Sequence, residues 1–376
     1  MKVLFVIQGE GRGHLTQAIT LESMLRRNGY DVVEVLVGQS KSRRLPGFFN
    51  RSIQAPVKRF LSPNFLPTPA NRRVSLVRSV AYNLMHLPTY FRSMCYIRRR
   101  IRETGADLVI NFYELLTGLT YLFLHPAVPQ VCIGHQYLFL HPDFRFPHKS
   151  RTSLFLLRFF TRLTCIGACR RLALSFRPMS DVPASRIRVV PPLLRLEVLT
   201  SESRKGDYLH GYLLNAGFAE DVLGWHRRHP RVPLHFFWDK PDEDDTCRMD
   251  DTLTFHQIDD VKFLRYMTGC RAYATTAGFE SVCEAMYLGK PLLMVPAHIE
   301  QDCNAYDAAC TGAGIVADSF DLQKLLDFER EYRPNVEFRY WVRSSERVIL
   351  NALEEAIHSS HCPLDAPYEY CNGIEM

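Results

Sequence analysis

The sequence predicts an α/β protein of two domains, each built on a parallel sheet, and three observations lead to this fold class. The chain has 376 residues, which is more than one hydrophobic core usually supports. Its first 40 residues follow the order strand, glycine loop, helix and strand. A second series of short apolar runs begins after a polar stretch at residues 201–207. We therefore place the domain boundary near residue 200.

The first domain is expected to span residues 1–200. The apolar run at 3–7 breaks into glycines at once and lacks the features of a signal peptide, so it is predicted as a buried strand. Apolar residues recur at helical spacing from Leu15 to Leu25, and Asn28 and Gly29 end that helix. The other strands predicted in this domain are 32–37, 108–111, 128–133, 172–175 and 187–190.

The second domain is expected to span residues 201–335. Its predicted strands are 212–215, 234–238, 272–275 and 291–295. Residues 336–358 are predicted to form one long closing helix, and residues 359–376 a frayed tail.

Composition narrows the class of protein. Apolar residues make up 47% of the chain and charged residues 23%, which is typical of a globular protein. The eleven cysteines form no C-x-x-C pair and no Cys/His cluster at zinc spacing. We therefore expect free thiols in the cytoplasm and no zinc site.

Charge is divided unevenly along the chain. Residues 1–200 contain 29 Lys or Arg against 10 Asp or Glu, a net charge of +19, whereas residues 201–376 carry a net charge of −13. Two stretches of the first half, 72–102 and 148–177, combine arginines with large apolar residues. Arginines interrupt the second stretch too often for a transmembrane span and favour a basic helix at the inner face of an anionic membrane. Ordinary domain helices with a solvated basic face are the alternative.

The segment 275–314 carries the strongest functional signal. A short strand is predicted to end at Thr275, Gly278 to turn the backbone sharply, and a helix to begin at 279–280. The free amides of a helix start and the positive end of its dipole favour a diphosphate. Glu284 follows Gly278 by six residues, close enough for its carboxylate to accept hydrogen bonds from two ribose hydroxyls.

This segment, with G-K-P at 289–291 and V-P at 295–296, resembles the nucleotide-binding signature of GT-B glycosyltransferases. The likeness is to the family 28 type, which includes lipid II N-acetylglucosaminyltransferases and diacylglycerol galactosyltransferases; plant family 1 enzymes share a related pattern. The resemblance implies a GT-B fold, in which two Rossmann-like domains face a cleft. It also implies inverting transfer of a sugar from a nucleoside diphosphate, expected to be UDP, to a hydroxyl, without a metal or other cofactor.

The resemblance assigns most donor-binding roles within the segment. It places the diphosphate at Thr276, Ala277 and Gly278, and the ribose at Glu284. The residues that would hold the donor sugar are Glu300, Gln301 and Asn304.

Weaker likenesses add donor contacts outside the segment. The loop at 255–260 resembles the one whose backbone reads the base edge, which places Gln257 and Ile258 against uracil. Arg195 corresponds to the arginine that approaches the diphosphate from between the domains. Asn215 stands where the family has a Gly/Ser-rich turn, and the missing glycines leave its phosphate contact open.

The loop G-E-G-R-G-H at 9–14 is similar to a dinucleotide fingerprint, but Val37 and Gly38 stand where an NAD site requires an acidic residue. GT-B enzymes carry a glycine-rich first loop that ends in a histidine at the cleft. The resemblance therefore makes His14 a candidate base and places Gly11 and Gly13 at the acceptor. An imidazole suits deprotonation of a hydroxyl near neutral pH, although a structural histidine is the alternative.

A second loop of the first domain, I-G-H-Q-Y at 133–137, resembles the acceptor loop of the lipid II enzyme. It makes His135 and Gln136 candidate acceptor contacts. Glu114, just past a predicted strand, is the competing candidate for the catalytic base. A helix-capping Glu is the plainer alternative.

Two other functions stay open on the sequence. A UDP-N-acetylglucosamine 2-epimerase would use a similar second domain, but it needs several acids and bases where the first half is poor in carboxylates. A nucleic-acid-binding protein would use the basic half, yet no known nucleic-acid module is present. The favoured partners are a nucleotide sugar, an acceptor with a hydroxyl group, which could belong to a lipid, and an anionic membrane. A nucleic acid is not expected as a partner.

Overall fold

The computed structural model describes residues 1–40, 45–63, 83, 86–214, 216–238, 240 and 244–358. In these ranges the chain forms two seven-stranded sheets flanked by helices, which confirms the predicted α/β class. Buried apolar side chains of the strands and of the helices that cover them form the cores.

The first sheet is parallel and has the order β3-β2-β1-β4-β5-β6-β7. Residues 3–7 of its central strand are fully buried, as expected where helices cover both faces. Its strands are β1 (Lys2–Gln8), β2 (Asp31–Gln39), β3 (Val57–Leu61), β4 (Leu108–Phe112), β5 (Gln130–Gly134), β6 (Ala168–Leu174) and β7 (Ile187–Val190). The helices of this half are Arg12–Arg27, Gly47–Ser52, Leu87–Thr104, Leu115–Leu124 and Arg151–Thr164, with 3-10 turns at His135–Leu140 and Pro183–Ser185.

The second sheet has the order β10-β11-β9-β8-β12-β13-β14 and is parallel except for the edge pair β10 and β11. Its strands are β8 (Leu209–Leu213), β9 (Leu234–Trp238), β10 (Thr246–Arg248), β11 (Leu253–Gln257), β12 (Ala272–Thr275), β13 (Leu292–Met294) and β14 (Gly314–Val316). The remaining helices are Leu196–Thr200, Ala219–Arg228, Asp260–Gly269, Phe279–Tyr287, Ile299–Cys310, Leu322–Glu331, Val336–Arg343 and Ser345–His358, with a 3-10 turn at Ala216–Phe218.

Each sheet reverses its winding direction at one place, between β1 and β4 in the first and between β8 and β12 in the second. Ligands of open α/β sheets bind beyond the carboxyl ends of the strands at such a switch point. A non-glycine residue with positive φ follows the strand at both places, Tyr113 (φ 61°) after β4 and Ala277 (φ 63°) after β12. Such backbone strain is concentrated at functional sites, so the fold itself marks these two corners.

The closing segment differs from its prediction. In place of one helix over 336–358, two helices meet at Ser344, whose amide donates to the carbonyls of Tyr340 and Trp341. The first helix packs against Phe279–Tyr287, and the second returns to β6 and β7 of the first sheet. The chain therefore ties both sheets together at this end.

Three further differences concern the sequence patterns. The helix predicted in the arginine-rich stretch 148–177 covers Arg151–Thr164, and the strand predicted at 172–175 begins earlier, as β6 at Ala168–Leu174. Residues 255–257 of the predicted base-reading loop form the end of β11, so the loop begins at Ile258. The strand predicted at 212–215 begins and ends earlier, at Leu209–Leu213.

Membrane-spanning helices were also sought. Across the described ranges, every helix is too short or too polar to cross a bilayer.

A glycine in the first half tests how closely two helices pack. A Cβ at Gly118, in Leu115–Leu124, would overlap the carbonyl oxygen of Leu163 at the end of the neighbouring helix. We expect Gly118→Ala to lower the free energy of unfolding by about 1–3 kcal/mol because the helices must separate. Urea denaturation followed by circular dichroism measures this change.

Gly224→Ala is the matched control, because Gly224 also lies inside a helix and a Cβ there meets only the end of Arg227, at 3.7 Å. This variant should gain about 0.5–1 kcal/mol from helix propensity. Equal stabilisation by both substitutions would contradict the close packing at Gly118.

Candidate active site

The two switch points face each other across a cleft. The helix that follows β1 contacts the helix that follows β12, where Gln17 Nε2 donates a hydrogen bond to Glu280 Oε1 at 2.5 Å. A second contact joins the loop after β5 to the helix after β13, where Gln136 Nε2 donates to Glu300 Oε1 at 2.9 Å. The residues between these two bridges form the candidate site.

His14 lies between the two bridges, in the first turn of Arg12–Arg27, with 8% of its surface exposed. Its ring stacks on Tyr113, with 5.7 Å between the ring centres. Nδ1 lies 3.4 Å from Gln17 Oε1, and Nε2 lies 3.3 Å from Gln136 Nε2. Each ring nitrogen therefore contacts a glutamine that also donates a hydrogen bond to a glutamate of the second half.

These partners define the tautomer of His14. Gln17 uses Nε2 on Glu280, so its Oε1 accepts from a protonated Nδ1. Gln136 has one amide hydrogen on Glu300 and the other directed at Nε2, which therefore carries the lone pair. Burial lowers the pKa of His14, and the charge of Glu300 offsets part of that shift. A neutral imidazole whose Nε2 carries a lone pair is the form that a general base needs.

The donor side begins at the end of β12. Thr276 is buried and its hydroxyl has no partner among the described residues. The sharp corner lies at Ala277 and not at Gly278, which has an extended backbone (φ −64°, ψ 132°) and caps the helix Phe279–Tyr287 without a side-chain hydrogen bond. A Cβ at Gly278 would meet only Ser281 Oγ, at 3.8 Å. Protein groups therefore leave the space at this helix start open.

Glu284 and Arg195, which the sequence assigns to ribose and diphosphate, form an ion pair. Arg195 contacts Glu284 Oε1 through Nε at 3.0 Å and through a terminal nitrogen at 2.9 Å. Glu284 is 4% exposed, and Arg195 lies just ahead of the helix Leu196–Thr200. The structure thus brings the two residues together on one wall of the cleft, with both contacts on the same carboxylate oxygen.

The three residues predicted at the donor sugar lie at the start of Ile299–Cys310. Glu300 faces Gln136, as described above. Gln301 accepts a hydrogen bond from the amide of Ala297 at 2.9 Å. Asn304 donates to the carbonyl of Ala277 at 3.3 Å, and its side chain also interacts with His135. Asn304 therefore supports the strained corner.

The predicted base contacts lie at the end of β11. The side chain of Gln257 donates to the carbonyl of Lys240 and accepts from its amide, so it joins two loops of the second half. Ile258 is half-buried against the core. Asn215 lies outside the described residues.

His135 is enclosed and does not line the open cleft. Its ring lies 4.1 Å from that of Phe279, and its Nδ1 is 2.8 Å from the carbonyl of Leu174. Burial lowers its pKa. His135 thus supports the first residue of the donor helix, while Gln136, next to it, reaches His14.

Glu114 caps the helix Leu115–Leu124. Its Oε1 accepts from the amide of Leu116 at 3.1 Å and from the hydroxyl of Ser62 at 2.6 Å. The side chain is fully buried against Gly38, where a Cβ would overlap Oε2. Burial raises the pKa of Glu114 to about 7. Its geometry is that of a cap, and its role as a base stays a prediction.

The glycines of the first loop differ in their surroundings. Gly11 precedes the helix Arg12–Arg27 and is exposed. At Gly13 a Cβ would lie 3.3 Å from Glu280 Cγ, so a side chain of the second half packs directly on the first loop.

The sequence reasoning missed Gln17, Tyr113 and Glu280. Gln17 is one helical turn beyond His14, and Glu280 lies inside the segment already singled out, so spacing alone was a usable signal for both. Tyr113 has no such signal, because its positive φ appears only in the folded chain.

Comparisons with known proteins agree on one fold. The family model for glycosyl transferase family 1 matches residues 1–331. Among curated proteins, none matches the chain in sequence. Similar solved structures include the glycotransferase of kitacinnamycin, with 15% identity, a TM-score of 0.63 and coverage of 94% of this chain and 98% of that one. Arabidopsis thaliana UGT89C1 complexed with UDP-L-rhamnose has 13% identity, a TM-score of 0.61 and coverage of 96% and 98%. Phytolacca americana UGT2 complexed with UDP-2fluoro-glucose and pterostilbene has 12% identity, a TM-score of 0.62 and coverage of 96% and 100%.

The raised pKa of Glu114 predicts how its substitution responds to pH. The folded-state pKa of about 7 exceeds that of an exposed Glu. The contribution of the Glu114 carboxyl to the free energy of unfolding is therefore fully present below pH 4.5 and is lost as the pH rises through 7. Glu114→Gln should therefore gain stability relative to wild type between pH 5 and pH 8, by up to about 3 kcal/mol. Melting temperatures of both proteins at the two pH values measure the difference.

Glu103→Gln is the control, because Glu103 is a half-exposed surface residue of Leu87–Thr104. The change in its melting temperature relative to wild type between the two pH values should be smaller than that of Glu114→Gln. A parallel response of the Glu114 variant would show that Glu114 ionises normally in the folded protein.

Proposed function

Because the chain belongs to glycosyl transferase family 1, and is thus a glycosyltransferase of the GT-B type, we propose that it moves a hexose or N-acetylhexosamine from UDP to a hydroxyl with inversion at the anomeric carbon. The observation that carries this proposal is the open helix start at Gly278 beside the Arg195–Glu284 pair. Two similar structures, named above, are complexes with UDP-sugars, which supports UDP as the nucleotide.

The helix start supplies the binding energy for the leaving group. Its free amides and dipole would face the diphosphate, and Arg195 would add a positive charge on the same wall. We propose that these protein groups, and not a bound cation, stabilise the charge that develops as the bond from C1 to the diphosphate oxygen breaks.

The proton of the acceptor hydroxyl would go to His14. As the acceptor oxygen forms its bond to C1, its proton passes to Nε2 of His14, in the direction from which Gln136 donates in the ligand-free site. The protonated Nδ1 stays on Gln17, so the imidazolium keeps one fixed partner. The products are the glycosylated acceptor, UDP and a protonated His14, which then releases its proton to solvent.

The acceptor side carries an unusual surface, which we call the apolar-basic face. It lies on three neighbouring helices, Leu87–Thr104, Leu115–Leu124 and Arg151–Thr164. Half of the large apolar side chains exposed in the described part of the chain are on it, each 38–61% exposed: Leu87, Phe91, Leu122, Phe123, Phe155, Leu156 and Phe159. Exposed arginines on the same helices are Arg92, Arg98, Arg99, Arg102, Arg151 and Arg162.

We propose that this face docks on an anionic membrane and that the acceptor hydroxyl belongs to a lipid. Exposed apolar side chains and arginines on neighbouring helices match the acyl and phosphate layers of a bilayer, and the net charge of +19 in residues 1–200 favours an anionic one. The helix Arg151–Thr164, which carries part of this face, contacts the site from its buried side, because Thr161 shares a 2.8 Å hydrogen bond with Tyr113, whose ring stacks on His14.

Ligand binding and transfer can be separated at His14. UDP and UDP-sugars should raise the melting temperature of both wild type and His14→Ala, because the diphosphate site lies on the other wall of the cleft. Transfer should fall by about two to four orders of magnitude in the variant, since a general base contributes that much. Thermal shift with a panel of nucleotide sugars, followed by a UDP-release assay with lipid and soluble acceptors in EDTA, measures both.

Glu114→Gln serves as the matched variant for the competing base and should keep both binding and transfer. If Glu114→Gln loses transfer while His14→Ala keeps it, Glu114 is the catalytic base and His14 is not. Failure of every nucleotide to stabilise the wild type would overturn the donor assignment. Formation of a new epimer from UDP-N-acetylglucosamine alone would favour the epimerase.

Membrane docking depends on the apolar side chains. Replacing Phe155 and Phe159, whose rings stack 6.2 Å apart, by serine should weaken binding to phosphatidylglycerol vesicles by at least about tenfold, because two aromatic rings no longer enter the interface. Vesicle sedimentation at low salt measures the change.

The double variant Val336→Ser and Tyr340→Ser is the control, because these residues are equally exposed on a helix of the second half. It should bind vesicles like wild type. If wild type itself stays in the supernatant, the membrane proposal is wrong and a soluble acceptor takes its place.

A further inference from the structure

A buried acid stands next to the proposed diphosphate site. Glu280 is in the first turn of Phe279–Tyr287, two residues after Gly278 at the open helix start. Negative charge is stabilised at a helix start, but a carboxylate there repels a ligand that is itself anionic. The mechanism above gives this side chain no role.

The carboxyl of Glu280 is held from the opposite domain. Its Oε1 accepts the 2.5 Å hydrogen bond from Gln17, and its Cγ packs on Gly13. Oε2 is buried and has no partner in the described part of the chain. A carboxylate oxygen in that position would hold charge without a donor, which is costly, whereas a protonated oxygen would leave the group neutral.

The charged groups that face this carboxyl are few. Glu284 repels its negative form from one helical turn away, and Arg195, bound to Glu284, partly compensates. The first-domain helix faces it with the amide of Gln17 and with neutral His14. Burial is the largest influence and raises the pKa of Glu280 to about 8, with the charge of Glu284 acting in the same direction.

We propose that Glu280 is a specificity residue of the donor site, which admits a diphosphate as the neutral acid and rejects it as the carboxylate. Binding of the diphosphate is then coupled to uptake of one proton on Glu280 wherever the free protein is ionised. This inference rests on the proposed function, since it requires a diphosphate at the helix start.

The coupling predicts a pH-dependent affinity. Between pH 7.5 and 8.5 the charge of UDP is nearly constant, because its terminal phosphate has lost its last proton near pH 6 and the N3–H of uracil ionises only above this range. The wild-type affinity for UDP should fall about threefold across this range, whereas that of Glu280→Gln should stay nearly constant. Isothermal titration calorimetry in buffers of different ionisation enthalpy also counts the protons taken up.

Three controls keep the outcomes distinct. Uridine lacks the diphosphate, so its affinity should not change with pH; the same fall for uridine as for UDP would overturn the proposal. Glu337→Gln, at the exposed first turn of Val336–Arg343, should follow wild type. Gln17→Leu removes the hydrogen bond that lowers the pKa of Glu280 and should move the fall to higher pH, which tests the proposal even if Glu280→Gln does not fold.

Two negative results have different meanings. If UDP binds to Glu280→Gln with the wild-type pH dependence and proton uptake, the role of Glu280 is refuted and the donor site stands. If wild type binds no UDP at any pH, the donor site itself is wrong and the inference falls with it.

Discussion

Two glutamine side chains hold the imidazole of His14 against both halves of the molecule. Gln17 and Gln136 each face one ring nitrogen and each donate to a glutamate of the second half, Glu280 or Glu300. The position and the tautomer of the imidazole are therefore properties of the assembled cleft and not of either sheet alone. Any movement that parts the two halves changes the partners of the candidate base at the same time as it opens the donor site.

The strained corner at Ala277 is likewise held by a contact between separate parts of the chain. A left-handed backbone at a non-glycine residue costs free energy, and here the buried amide of Asn304 bonds the carbonyl of that residue. Ala277 lies in the loop after β12, and Asn304 lies in the helix after β13. The helix start is thus oriented by tertiary contacts in the ligand-free protein.

The fold and the glycosyltransferase family could be predicted from sequence because apolar runs and the segment 275–314 are local patterns. Parallel strands such as β1, β9 and β12 appear as short apolar runs with few alternatives. Local patterns do not specify which residues meet across the cleft. The pairing of Arg195 with Glu284, 89 positions apart, and of Gln17 with Glu280, 263 apart, follows only from the relative placement of two sheets. For the same reason His135 was predicted at the acceptor and lies beneath Phe279 instead.

The return of the last helix to the first sheet has a mechanical consequence. The backbone crosses between the halves twice. The first crossing lies between β7 and β8, and the second lies at Ser344, where the chain leaves the second half and enters the helix Ser345–His358 on the first sheet. We expect two such connections to favour bending about the line that joins them over other relative movements of the two halves.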